Sequence, residues 1–355
     1  PDRPAPRDPR PPRPRSPHLE SLTPSQGSSS PGLTIPRLPI GMSEAEQRSW
    51  PTGVPRVLAL GDSFIEAFTV NDPEMVTTRL EKRLSDGGCR SEVINGGTIG
   101  YSTDQEYLFY RDTGRRYGAD VVVLFVYHND IPWLIHDDYL GYPKPVLDFS
   151  GPSPVVRNEP VAPYVPPPVV SVEAPPFRGS FLFEFVKDSV ESASAETYQS
   201  IARLGLWGPL RTLPLNEELR LFRVPEFGHL RPAWSAFTWS LQSLGRAVSA
   251  DGAQLVVAYI PSKMEVMPRV WERTRIRYAL DEKFERTAIA ARVRSIVESQ
   301  GLPFLDLTPA LRDAEGILNP VFCPVDGHWN ARGQDVAAGS LAGFLRARNA
   351  LPDCR

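Results

Sequence analysis

The apolar run Val57-Leu58-Ala59-Leu60 ends abruptly in Gly61-Asp62-Ser63-Phe64. A parallel-sheet strand that stops this way delivers a serine to the carboxyl edge of its sheet, where open α/β folds bind ligands. Far downstream, Asp326-Gly327-His328-Trp329-Asn330 sets a histidine beside a carboxylate and a turn signal. A serine hydroxyl is a weak nucleophile until a base takes its proton, and imidazole is suited to that near neutral pH. Ser63 and His328 therefore read as nucleophile and base, with Asp326 able to hold the far imidazole nitrogen and fix its tautomer.

Two further segments offer donors to a developing oxyanion. In Asn95-Gly96-Gly97-Thr98-Ile99-Gly100-Tyr101, Gly100 can present a backbone N–H with no Cβ in the way. In Tyr127-His128-Asn129-Asp130, Asn129 offers an uncharged side-chain amide. Taken singly, each segment has a plainer reading: a turn at Ser63, a loop glycine at Gly100, a capping residue at Asn129, a structural hydrogen bond at His328. A phosphate cradle is disfavoured, because only Gly61 precedes Phe64. His128 and Asp130 point away from Asn129 on strand geometry and read as structural. His136-Asp137-Asp138 reads as a solvated loop. The candidates for touching substrate are Phe64, Tyr101, Trp329 and Lys263.

Alternating strands and helices must position these residues. The strands are expected at Val57–Leu60, Glu92–Asn95, Asp120–Tyr127, Gln254–Ile260 and Pro303–Leu307. The helices are expected at Pro73–Leu84, Thr103–Tyr117, Ser180–Gly205, Trp234–Ala250, Ala279–Gln300 and Gln334–Arg348. Such alternation makes an α/β fold, a parallel sheet with helices on both faces. All four chemical segments then fall at carboxyl ends of strands in one sheet. A proline-dense insertion of about 131–235 lies between the third and fourth strands and is expected to roof the site.

The bulk numbers narrow the rest. The chain has 355 residues, is 41% hydrophobic and 23% charged, and carries a net charge of −3. It lacks the basic face that nucleic acid would require. Three cysteines without Cys-x-x-Cys spacing and five scattered histidines do not support a metal site, and nothing calls for a cofactor. Residues 1–50 are rich in proline, arginine and serine; twelve prolines fall in the first forty positions. That composition reads as a disordered or polyproline segment, either a dispensable tail or a spacer holding the catalytic domain off a membrane or wall. The sequence reads as a trimmed or mature form, with any export signal or tether lying outside it.

The four blocks, in this order, resemble the SGNH hydrolases, or GDSL-type esterases, over about residues 54–350. The run Ala258-Tyr259-Ile260-Pro261-Ser262-Lys263 resembles their exported, envelope-associated branch. The resemblance implies a flavodoxin-like three-layer α/β/α fold with a five-stranded parallel sheet of order 2-1-3-4-5. It implies that Ser63 attacks an ester carbonyl, that the Ser63 and Gly100 N–H groups and Asn129 form the oxyanion hole, and that His328 is the base oriented by Asp326. One departure stands out: the family usually spaces acid and base as Asp-x-x-His, whereas this chain has Asp-x-His, a form shared with polysaccharide O-acetyltransferases. A Ser–His dyad oriented by a backbone carbonyl is the alternative. The expected function is removal of small acyl groups, acetyl above all, from a carbohydrate or related ester. O-acyl transfer to a polysaccharide by the same acyl-serine is one alternative, and an inactive carbohydrate-binding protein is another. In a 2-1-3-4-5 sheet the first and last helices pack side by side. On that arrangement Cys89 and Cys354 are expected to form a disulfide, Cys323 to stay free, and the protein to be exported.

Overall fold

The computed structural model of the protein describes residues 53–148, 151, 154–163, 186–187, 189–190, 194–206, 214–324 and 326–352. The segment 1–50, the insertion over 164–185 and Cys354 lie outside them. Five strands build the central sheet: β1 (Arg56–Gly61), β2 (Glu92–Gly97), β3 (Val121–Val126), β8 (Gln254–Tyr259) and β9 (Phe304–Asp306). Their order is β2-β1-β3-β8-β9, with every neighbouring pair parallel, which is the expected 2-1-3-4-5 topology. Between β3 and β8 the insertion adds two short antiparallel pairs. One joins β4 (Asp138–Tyr139) to β5 (Tyr142–Pro143), and the other joins β6 (Val146–Asp148) to β7 (Val155–Arg157).

Side chains alternate across a strand, so the continuous apolar strands serve two cores at once. Leu58, Leu60, Val122, Leu124 and Val257 face one core with Phe109, Phe237 and Leu241. Val57, Ala59, Val123, Phe125 and Ala258 face the other with Leu80, Leu84, Leu341 and Leu345. Helices Val76–Asp86 and Ala331–Ala347 pack side by side on this second face. Asp335 joins them by ion pairs to Arg79 (3.3 Å) and Arg83 (2.7 Å), and Gln334 accepts the Val76 N–H at 2.8 Å. Cys89, buried just past the first of these helices, is disulfide-bonded, and Cys323 is a free thiol.

Several helices differ from expectation at their ends. The helix expected over Ala279–Gln300 runs only over Ala288–Ser299, because Ala279 is left-handed (φ 48°) and closes a preceding helix, Pro268–Tyr278, that the sequence reading did not expect. The one expected over Thr103–Tyr117 stops at Asp112 and tightens into a 3₁₀ turn, Gly114–Tyr117. The last helix starts at Ala331 rather than Gln334, since Asn330 Oδ1 accepts the Arg332 and Gly333 N–H groups at 2.9 and 3.0 Å. Among the described residues no helix is long and apolar enough to cross a membrane.

Candidate active site

At the end of β1 the chain turns into a one-turn helix, Ser63–Glu66. Asp62 Oδ1 caps it by accepting the Phe64 N–H at 2.9 Å, and Ala67 closes it in the left-handed region (φ 59°). Ser63 is thereby held at the first helical position. Its Oγ lies 2.7 Å from His328 Nε2. On the far side of the ring, His328 Nδ1 hydrogen-bonds Asp326 Oδ1, which also accepts the His328 backbone N–H at 2.7 Å. The single residue between acid and base makes this double acceptance possible, because Asp326 folds back over a tight turn onto both nitrogens. A carboxylate can only accept, so Nδ1 carries the proton and Nε2 is the lone pair facing Ser63. Burial pushes Asp326 upward, but these bonds, the imidazole and nearby Lys263 outweigh it and hold the carboxyl below the usual carboxylate range.

The imidazole is gripped by aromatic rings. Phe64 lies 4.7 Å from it and Phe68 meets it edge-on at 4.9 Å, while Trp329 stacks behind Phe64 at 5.1 Å. The histidine loop is fastened by Thr69 Oγ1 donating to Trp329 O (2.9 Å) and Lys263 Nζ donating to Cys323 O (2.5 Å). These contacts correct three expectations. Phe64 is only 2% exposed and Trp329 is fully buried, so neither presents a surface to substrate; their rings face the core. Lys263 is half-withdrawn and braces the histidine loop through a carbonyl. Tyr101 is partly buried against the first core, and burial pushes its phenol upward.

The glycine block comes to the same place through contacts no local signal shows. Glu66 Oε2 accepts the Ile99 N–H at 2.5 Å, and Asn95 Nδ2 donates to Ile65 O at 2.7 Å, tying the loop to the serine turn. Gly97 must be glycine, since a Cβ there would lie 2.3 Å from the Glu66 nitrogen. Gly100 sits at φ +75°, and a Cβ on it would come within 2.7 Å of the Tyr139 ring. Tyr139 belongs to β4, so the insertion packs directly on the glycine loop. That hairpin is anchored by buried Lys144, whose Nζ donates to Ser102 Oγ (2.9 Å) and pairs with Asp104 (3.4 Å). Asn129 follows β3. Among the described residues, the N–H groups of Ser63 and Gly100 make no hydrogen bond, whereas the Asn129 amide is engaged by the Asp62 carboxylate. Two backbone donors therefore stand free, one in the serine turn and one in the glycine loop.

Behind the serine lies a buried acidic group that sequence reasoning did not find. Burial pushes Asp62 up to about 6, against the pull of the Phe64 N–H, His328, His128 and the Asn129 amide. Glu106 and Asp130 are driven well above the carboxylate range, by burial above all, with the charges of Asp62 and Asp104 adding at Glu106 and those of Glu106 and Asp62 at Asp130. His128 is buried, stacked on Tyr127 at 4.1 Å and within 3.4 Å of Glu218. Asp130 accepts the Tyr127 N–H at 3.0 Å. His136 is exposed and lies against Trp133.

The raised Asp62 pKa has a stability consequence. Between about pH 4 and 6 the folded chain keeps a proton that the unfolded chain has lost, so this site's contribution falls as pH rises through that window. Asp62→Asn keeps the capping oxygen and removes the ionisation. Urea titrations should show it more stable than wild type at pH 8, by up to about 3 kcal/mol, with the two curves converging near pH 4. A gap independent of pH would show that Asp62 ionises freely.

Residues 224–354 match the family model described as SGNH hydrolase-like domain, acetyltransferase AlgX. That match lies in the C-terminal part of the chain, and the five-stranded parallel sheet of order β2-β1-β3-β8-β9 is consistent with an SGNH-type α/β/α fold. Among solved structures it is similar to TesA (11% identity, TM-score 0.43, covering 82% of this chain and 98% of that one). It is also similar to a catalytic mutant of Axe2, an acetylxylan esterase from Geobacillus stearothermophilus (12%, TM-score 0.42, 82% and 93%). A third likeness is LAE5, an alpha/beta hydrolase enzyme from the metagenome of Lake Arreo, Spain (12%, TM-score 0.43, 83% and 95%). No curated protein matches.

Proposed function

We propose that this protein cleaves small acyl esters, acetyl above all, from a carbohydrate through an acyl-serine intermediate. One observation carries the reading: the Ser63–His328–Asp326 hydrogen-bond chain, beside which the Ser63 and Gly100 N–H groups have no partner of their own. In the first step His328 Nε2 takes the Ser63 proton as Oγ attacks the carbonyl carbon. The Ser63 and Gly100 N–H groups and the Asn129 amide receive the oxyanion, and Asp326 steadies the imidazolium. His328 then hands its proton to the departing sugar oxygen. Water, deprotonated by the same imidazole, releases the acid and regenerates the hydroxyl.

Acyl transfer to a sugar hydroxyl is the second reading, favoured by the acetyltransferase in the description of the matching family. Chemistry up to the acyl-serine is the same. The exposed Phe68 ring at the site mouth, with Trp133 and Tyr139 5.0 Å apart on the insertion, suits an apolar sugar face in either case. A panel of nitrophenyl esters of rising chain length, beside acetylated polysaccharide with and without an unacetylated glycan, decides. Release of acetate that is fastest for the C2 ester and indifferent to glycan supports the hydrolase. Appearance of acetyl on the added glycan moves the assignment to transfer, and turnover confined to long-chain esters overturns both. We further propose an exported location, supported by the disulfide at Cys89, since such bonds persist in oxidising compartments.

A further inference from the structure

A cavity of about 200 Å³ lies at the carboxyl ends of β8 and β9, apart from the serine site. Arg286, Arg294 and Arg312 line it, together with Glu265, Asp306 and Thr308. Its two acids are already engaged. Glu265 accepts from the Tyr259 hydroxyl (2.7 Å) and from the Ser262 N–H and hydroxyl (2.8 and 2.9 Å). Asp306 accepts the Thr308 N–H (2.9 Å) and pairs with Arg294 (3.4 Å).

The other two guanidinium groups are not neutralised in this way. Arg312 donates to a main-chain carbonyl, Glu265 O, at 2.9 Å. Arg286 makes no hydrogen bond or close ion pair among the described residues. Burial and the like charge of Arg312 push its pKa down, while Glu272 and Glu265 act on it only through space. Two cations held together with no carboxylate in hydrogen-bond contact are an unfavourable arrangement until an anion joins them. A second observation points the same way: Thr308 is 7% exposed, and its hydroxyl is buried with no partner. Thr287, at the start of helix Ala288–Ser299, also lines the cavity and adds the positive end of a twelve-residue helix.

We propose that this cavity binds a phosphate group, with Arg286 and Arg312 presenting their planar forks to its oxygens and the Thr308 hydroxyl donating to a third. Guanidinium forks match phosphate oxygens in pairs, and a tetrahedral dianion answers several donors converging from different directions. The assignment is independent of the acyl-serine reading, because none of these residues belongs to the serine site.

The test is isothermal titration of the full chain with inorganic phosphate in low-chloride buffer at pH 7.5, with the Ser63→Ala variant in parallel. Saturable binding is expected at millimolar concentration or below. It should weaken at least about tenfold in Arg286→Ala and in Arg312→Ala, and less in Arg286→Lys, which keeps the charge but loses the fork. Ser63→Ala should bind as wild type does, so that loss of ester chemistry and loss of this site are told apart. Should Arg312→Ala lose its fold by circular dichroism, Arg286→Gln decides alone. Glucose 6-phosphate binding more tightly than phosphate supports a phosphate ester as the ligand, and equal affinity supports the free ion. Absence of saturable heat with phosphate, unchanged affinity in the Arg286 variants, or acetate binding as tightly as phosphate would each overturn the assignment.

Discussion

Ser63→Ala is expected to lower kcat for nitrophenyl acetate by about 10⁴ or more, with KM little changed. The hydroxyl that forms the covalent bond is gone, and water attack within the oxyanion hole is all that remains. His328→Ala should cost nearly as much, since nucleophile and base act as one unit and their losses do not add. Asp326→Ala should cost less. Its loss leaves His328 Nε2 in place, because the ring is also held between Phe64 and Phe68. Steady-state rates on purified, folded variants check the order. Most of the activity surviving in Ser63→Ala would refute acyl-serine chemistry. An Asp326→Ala enzyme as fast as wild type would leave the Ser63–His328 dyad as the working unit.

Gly100→Ala should reduce kcat by roughly 10² to 10³, the scale of a lost oxyanion donor. Two effects combine. Alanine at φ +75° is strained by about 1–2 kcal/mol. The new methyl would also sit 2.7 and 2.9 Å from two carbons of the Tyr139 ring. Either the ring or the loop must move, and a moved loop turns its N–H away from the carbonyl oxygen. Removing the ring separates these effects: in Gly100→Ala/Tyr139→Ala the clash is gone and only the backbone strain persists, so part of the rate should return. Asn129→Ala, which deletes a donor without disturbing the loop, should cost about a hundredfold. Wild-type kcat in Gly100→Ala would remove its N–H from the oxyanion hole.

Helix positions were only partly legible in the sequence. Val121–Val126 could be read as a strand because six apolar residues, mostly β-branched, suit a strand buried on both faces. The break at Ala279 could not be read, because the left-handed turn there leaves no glycine or proline to mark it. Cys89 gives no local sign of bonding.

The same division runs through the site. Strand periodicity, with a turn after each strand, already placed Ser63, Gly100, Asn129 and His328 at one edge of one sheet, since parallel strands must all end on the same side. Residue type then suggested nucleophile, donors and base. Side-chain direction was settled only by tertiary contacts. Phe64 and Trp329 stand next to Ser63 and His328 in sequence, yet turn inward, where burying a large ring in the core is favourable. Lys263 reaches a loop carbonyl sixty positions away. Glu66, Lys144 and Asp104, which brace the glycine loop and the insertion, carry no motif. Their partners lie tens of residues distant, and their pairing becomes favourable only after the chain has closed around them and removed the competing water.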